Sequence, residues 1–166
     1  GGTGTPAQSL GRVRQSGGPG IPPRPERRGF QPGLSVIVAT WDDVRRIALA
    51  LPETNEQSAR GVPRWRVKDK GFVWERPLRR ADLAALGEPA PVGPIFAAHV
   101  PDVGVKEALI ADDPGVFFTT PHFDGYPAIL VRLDRIAASD LAELITEAWL
   151  SRAPKRLARA FLQASP

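Results

Sequence analysis

The sequence predicts an α+β domain with a mostly antiparallel sheet packed in two layers against helices, preceded by a long tail. Three observations predict it. Helical and extended patterns follow one another as α, ββ, α, β, α, ββ, αα, an order with too few βαβ units for a parallel sheet. Residues 62–76 hold two apolar-alternating runs separated by a turn-forming stretch. Residues 1–37 contain nine Gly and six Pro with few large apolar side chains, so they cannot bury enough surface to offset chain entropy. The expected organisation is therefore a disordered Gly/Pro/Arg-rich tail over 1–37 and one α+β domain over 38–166. The chain lacks methionine altogether and favours Arg over Lys, with abundant Ala, Gly and Pro. Together these suggest a natural start at Val38 and a bacterial, GC-rich source.

The elements justify themselves in order. Thr40 caps a helix whose Asp43 reaches back to the Thr40 amide, and Val44, Ile47, Ala48 and Leu51 form its apolar stripe before Pro52 ends it. "ETNEQSARG" has no apolar alternation and reads as a polar loop. Residues 62–68 and 72–76 read as strands joined at Asp69-Lys70-Gly71, with Gly71 supplying a positive φ. "LRRADLAALG" is a short helix closed by Gly87, "IFAAHV" a strand, and "DVGVKEALIADD" a helix of about three turns. "GVFFTT" and "AILVRLD" are β-rich runs around the irregular turn "PHFDGYP". Leu141, Leu144, Ile145, Ala148 and Trp149 mark a helix over 138–151, and Pro154 opens a last helix over 154–163.

Charge is distributed unevenly. The formal net charge is +4. Residues 1–37 carry five arginines against Glu26, whereas residues 38–166 carry seventeen basic and seventeen acidic side chains, so the domain is neutral. Within it, residues 60–80 hold eight basic and two acidic groups, residues 81–151 three basic and eleven acidic, and residues 152–166 four basic and none acidic. Two positive segments thus flank a negative one. Mutual pairing on a solvated surface is one explanation; a single phosphate-facing patch built from the hairpin and the last helix is the other. The second draws support from Lys155 and Arg156, which sit in the first turn of the last helix, where the macrodipole disfavours cations unless an anion is near.

Strand alternation puts Trp65, Val67, Phe72 and Trp74 on one side of the hairpin if the turn is at 69–71, with Arg64, Arg66 and Lys68 on the other. A stacking platform for single strands needs aromatics and cations facing one groove. This pattern separates them, so both tryptophans read as core.

Signals for chemistry are sparse. No cysteine is present, which excludes disulfides, thiol nucleophiles and zinc-thiolate sites and fits a cytoplasmic location. No apolar run approaches the length of a membrane span. His99, Asp102, His122 and Asp124 could in principle ligate a metal, but "HVPD" and "HFD" match no ligand spacing, and a polar turn or strand end accounts for each. Asp112-Asp113 before Pro114 read as turn formers, and Ser151 and Thr120 have no local base. Neither glycine-rich nucleotide motif occurs, and the residues indicate no cofactor. The expectation is a non-enzymatic protein. It is expected to bind DNA through backbone phosphates, with Arg64, Arg66, Lys68, Lys155, Arg156 and Arg159 as contacts. The alternative is a protein-interaction or small-ligand module using the region near Trp65, Trp74 and His122. Oligomeric state is not legible.

"LALPETNE" after the first helix, "WRVKDKGFVWER" and "TTPHFDGYPAILVRLD" together resemble the MmcQ/YjbR family, over about Val38 to Leu162. The resemblance implies a compact α+β fold likened to double-wing DNA-binding domains and to the bacterial frataxin-like fold, and a DNA-binding label drawn from that likeness. It implies no catalytic residue or cofactor. The ending "PKRLARAF" extends past the point where many relatives stop.

Overall fold

The computed structural model describes residues 38–164, together with Gly2 and Gly4. The expected disorder of the 1–37 tail therefore lies outside the described residues. The domain consists of α1 (Trp41–Leu49), β1 (Thr54–Ala59), β2 (Val62–Val67), β3 (Lys70–Glu75), α2 (Arg80–Leu86), β4 (Ile95–His99), α3 (Val103–Asp112), β5 (Phe117–Phe118), β6 (Ala128–Arg132), α4 (Ala138–Arg152) and α5 (Lys155–Ala164). The six strands form one sheet in the order β1-β2-β3-β4-β6-β5, every neighbouring pair antiparallel. No helix among the described residues is long and apolar enough to cross a membrane.

Local chemistry sets the helix starts. The Thr40 amide donates to Asp43 Oδ2 at 2.9 Å and the Asp43 amide to Thr40 Oγ1 at 3.4 Å, closing the expected capping box. Asp102 caps α3 by accepting from the Val105 amide at 2.9 Å. Gly87 ends α2 with φ 71°, a conformation only glycine adopts freely.

The two faces of the sheet are covered differently. On the helix face, α1, α4 and α5 pack over Trp65, Val67, Phe72, Val73, Phe96 and Ile129, all at most 1 % exposed. Trp149, in α4, is fully buried there, and its indole N–H donates to the Pro52 carbonyl at 3.1 Å, joining α4 to the end of α1. Phe161 of α5 stacks at a tilt on the Trp149 ring, 5.0 Å between centroids. The opposite face carries a smaller cluster of Ile95, Ala97, Phe123, Ala128 and Leu130, with Trp74, Leu78 and Phe118 half-buried at its margin. There Phe123, in a 3-10 turn at Pro121–Phe123, packs on β4 and β6, and α2 lies against that turn. β1 and β2 are left open.

Three expectations are corrected. The polar run "TNEQSA" is a strand: β1 is an edge strand, exposed along both faces, and so has no alternation to read. The hairpin turn after β2 is Lys68-Asp69, both at positive φ (45° and 68°), and Gly71 lies inside β3 at ordinary φ. A two-residue turn with both φ positive matches strand twist, so register favours it over the glycine. The third correction concerns the tryptophans. Trp65 pairs with Val73 and Arg66 with Gly71, leaving Phe72 as an extra residue, a β-bulge. Phe72 and Val73 are therefore both buried on the helix face, and Trp74 turns to the opposite one, where it pairs with Arg64 and Ala97.

Candidate nucleic-acid interface

The bulge places an indole and a guanidinium on the same open surface. Arg64 stands opposite Trp74 across β2 and β3, and its guanidinium carbon lies 5.7 Å from the Trp74 ring centroid. Its stem runs across Gly71: a Cβ at that position would meet Arg64 Cδ at 3.4 Å. Glycine here leaves the arginine room to lie flat over the strand.

Around this pair is a cleft of about 560 Å³. Trp74, Leu78 and Phe123 supply apolar walls, and Arg60, Arg64 and Arg79 are exposed around it. Arg60 is projected by a two-residue turn, Arg60-Gly61 (φ 54° and 75°), between β1 and β2. Arg79 precedes α2. None of these three arginines has a carboxylate partner among the described residues.

Arg76 behaves differently. It is 6 % exposed, lies 5.4 Å over the Phe123 ring and pairs with Asp82 at 3.1 Å, itself 4 % exposed. Asp82 also accepts from the Arg79 amide at 2.8 Å, so one carboxylate fixes both the start of α2 and the cleft floor. Burial would raise the Asp82 carboxyl, but the Arg79 amide and the Arg76 guanidinium outweigh it and hold it below its ordinary value.

The wall at Phe123 is held from behind. Lys106 of α3 is buried, and its Nζ donates to the Phe123 carbonyl at 2.6 Å and the Tyr126 carbonyl at 3.1 Å. Burial lowers its pKa, opposed by the nearby Asp124. His122 stands exposed at the cleft edge with its ring at 5.0 Å edge-on to Phe123.

The expected phosphate contacts are sorted onto different surfaces. Arg64 lies in the cleft. Arg66, on the same face, is occupied: it donates to Gln57 Oε1 at 2.6 Å and to the Asp69 carbonyl, bracing β1 and the turn. Lys68 pairs with Glu53 at 3.0 Å, both half-exposed, a contact of little energetic weight. Lys155, Arg156 and Arg159 are exposed on α5, whose Leu157 and Phe161 pack on the helix-face core. The hairpin and the last helix therefore do not form the single expected patch; the sheet lies between them. Trp65 is core as expected, whereas Trp74 is not.

Arg60 and Arg79 escaped the sequence reading. Gly61, which permits a positive φ after a polar run, is the local hint of the turn that presents Arg60. Nothing local marks Arg79. His99 is buried against Tyr126 (5.7 Å between ring centroids) and Asp102 is a helix cap, so neither approaches His122 and Asp124 as a ligand set. No group of three or more acidic or histidine side chains able to hold a metal occurs among the described residues.

Comparison with known proteins accords with this architecture. The YjbR family model matches residues 49–151. The chain is 59 % identical over 128 residues to the uncharacterized proteins Rv2570 of Mycobacterium tuberculosis and Mb2600 of Mycobacterium bovis, covering 75 % of this chain and 97 % of each relative. It is similar in fold to the crystal structure of Deinococcus radiodurans protein DR2400, a DUF419 domain, with a TM-score of 0.54 at 18 % identity, over 77 % of this chain and 91 % of that one. A family match spanning more than half the chain and near-complete coverage of close relatives leave one conclusion: the chain belongs to the YjbR family.

Proposed function

We propose that this protein binds DNA through backbone phosphates, using the open face of the sheet around Arg60, Arg64 and Arg79. The observation that carries the reading is the set of three exposed arginines around one cleft with no carboxylate partner among the described residues. The three outnumber Glu75, the carboxylate in the cleft lining, and cations in such excess repel one another and are stabilised by a polyanion. Phosphate contacts fix position without reading bases, so sequence selectivity is weak. The reading carries with it a cytoplasmic, non-catalytic role.

The test is fluorescence anisotropy of labelled DNA as a function of salt. Reversing Arg64 and Arg79 to glutamate lowers affinity at least about tenfold near 50 mM salt and reduces the slope of log K against log salt by about 2. Reversing Lys155, Arg156 and Arg159 together changes it little. Equal losses from both sets would move the contact to α5. Undetectable binding at low salt would remove DNA as a partner.

A further inference from the structure

The cleft combines features that a duplex cannot use. In double-stranded DNA the flat faces of the bases are covered by their neighbours, and only base edges and phosphates are presented. The face of the Trp74 ring that lies under Arg64 lines a concave site, with Leu78 and Phe123 as apolar walls. A volume of about 560 Å³ lies in the range of small-ligand clefts, roughly 300–1,000 Å³. Phosphates alone need no such recess.

We propose that the cleft seats one unpaired nucleotide, its base stacked on Trp74 and its flanking phosphates held by Arg64 and Arg79. The protein therefore takes single-stranded DNA in preference to duplex. This rests on the DNA-binding reading above and adds the strand state and the stacking residue. Arg64 now covers the Trp74 ring at 5.7 Å. A base stacked on this half-buried indole competes with the cation for one ring face, and its flanking phosphate takes up the displaced guanidinium. The long stem crossing Gly71 allows that movement without disturbing the strand. Arg60, on its turn, extends the positive surface along the backbone path. The open site and the tolerance of stacking for any base predict binding without sequence preference.

Four tryptophans are present, and two of them, Trp65 and Trp149, are buried on the helix face. Trp41 is half-buried with its ring edge-on to Phe96, so stacking in the cleft is reported by Trp74. The full chain is titrated with a mixed-sequence oligodeoxynucleotide of about 20 residues, longer than common single-strand site sizes, then with its duplex and with a deoxynucleoside monophosphate. The expected results are quenching of tryptophan emission by the single strand and an affinity at least about tenfold above that for duplex. Trp74→Ala weakens single-strand binding by about tenfold or more and duplex binding by much less, while Trp74→Phe keeps most of the affinity. Equal affinity for both forms without quenching, or equal losses for both in Trp74→Ala, overturns the stacking site and leaves the phosphate reading standing. A monophosphate that quenches as strongly as the strand at the same concentration overturns the strand as ligand. Absence of binding to any DNA at low salt overturns both readings together.

Discussion

Replacing Asp82 by asparagine removes the carboxylate beside the Arg76 guanidinium while preserving side-chain size. The two side chains are 7 % and 4 % exposed and 3.1 Å apart, so the pair is desolvated, and losing one partner leaves a buried cation. Such a loss costs about 3–5 kcal/mol. Arg76 keeps the Pro77 carbonyl and the face of Phe123, and the asparagine oxygen can still accept from the Arg79 amide, which argues for the lower end, about 3 kcal/mol. Against a total of roughly 5–15 kcal/mol this is a large fraction. For a domain of this size it lowers Tm by about 10–15 °C. Calorimetry and urea melts of Asp82→Asn, Arg76→Met and the double variant Arg76→Met/Asp82→Leu form the cycle. The double variant should melt close to the parent, because apolar groups replace both charges. An Asp82→Asn change within about 1 kcal/mol of the parent would refute the reasoning, since the pair would then be solvated and the cleft floor wet.

Further outcomes follow from the same geometry. Gly71→Val places a branched side chain against the Arg64 stem, 3.4 Å from where its Cβ would lie, and displaces the guanidinium from Trp74. DNA affinity falls while thermal stability is retained, checked by anisotropy beside a melt. Lys106→Met removes the ammonium from the Phe123 and Tyr126 carbonyls, which keep only the Tyr126 and Ala128 amides, costs about 1 kcal/mol, and speeds amide exchange through residues 123–126. Two groups give opposite-signed charges but the same pH trend. Burial, reinforced by Arg152, lowers the His99 pKa below 6.5, so the unfolded chain takes up the proton first and stability declines as pH falls below about 6.5. Asp82 lies below 3.8 in the folded state, so its contribution is complete above that value and is lost as pH falls through the lowered one. Urea midpoints from pH 8 to 3 should show both limbs, and His99→Phe should abolish the first.

Much of the fold is legible because its signals are local. The Thr40–Asp43 box, the stripe of α4 and the Gly87 stop are each written within a few residues. β1 was not legible because an edge strand exposed on both faces has no apolar period. The bulge was not legible because it is a pairing relation: Gly71 meets Arg66 and Val73 meets Trp65, and neither residue announces the skipped Phe72. The candidate site depended on that one register shift. Strict alternation kept Trp74 apart from the arginines, and only the folded sheet brings it together with Arg64, Phe123 and Arg79, which are distant in sequence.

The extra residue in β3 makes pairing register, rather than residue identity, the determinant of what this surface presents. Were Phe72 and Val73 to alternate strictly, with no residue skipped, Val73 would face outward and the following indole inward, converting the cleft's aromatic ring into packing material with no change in composition. In a strand of this length, keeping the bulge between the turn and Trp74 is therefore what separates an aromatic platform on the open face from a ring buried under the helices.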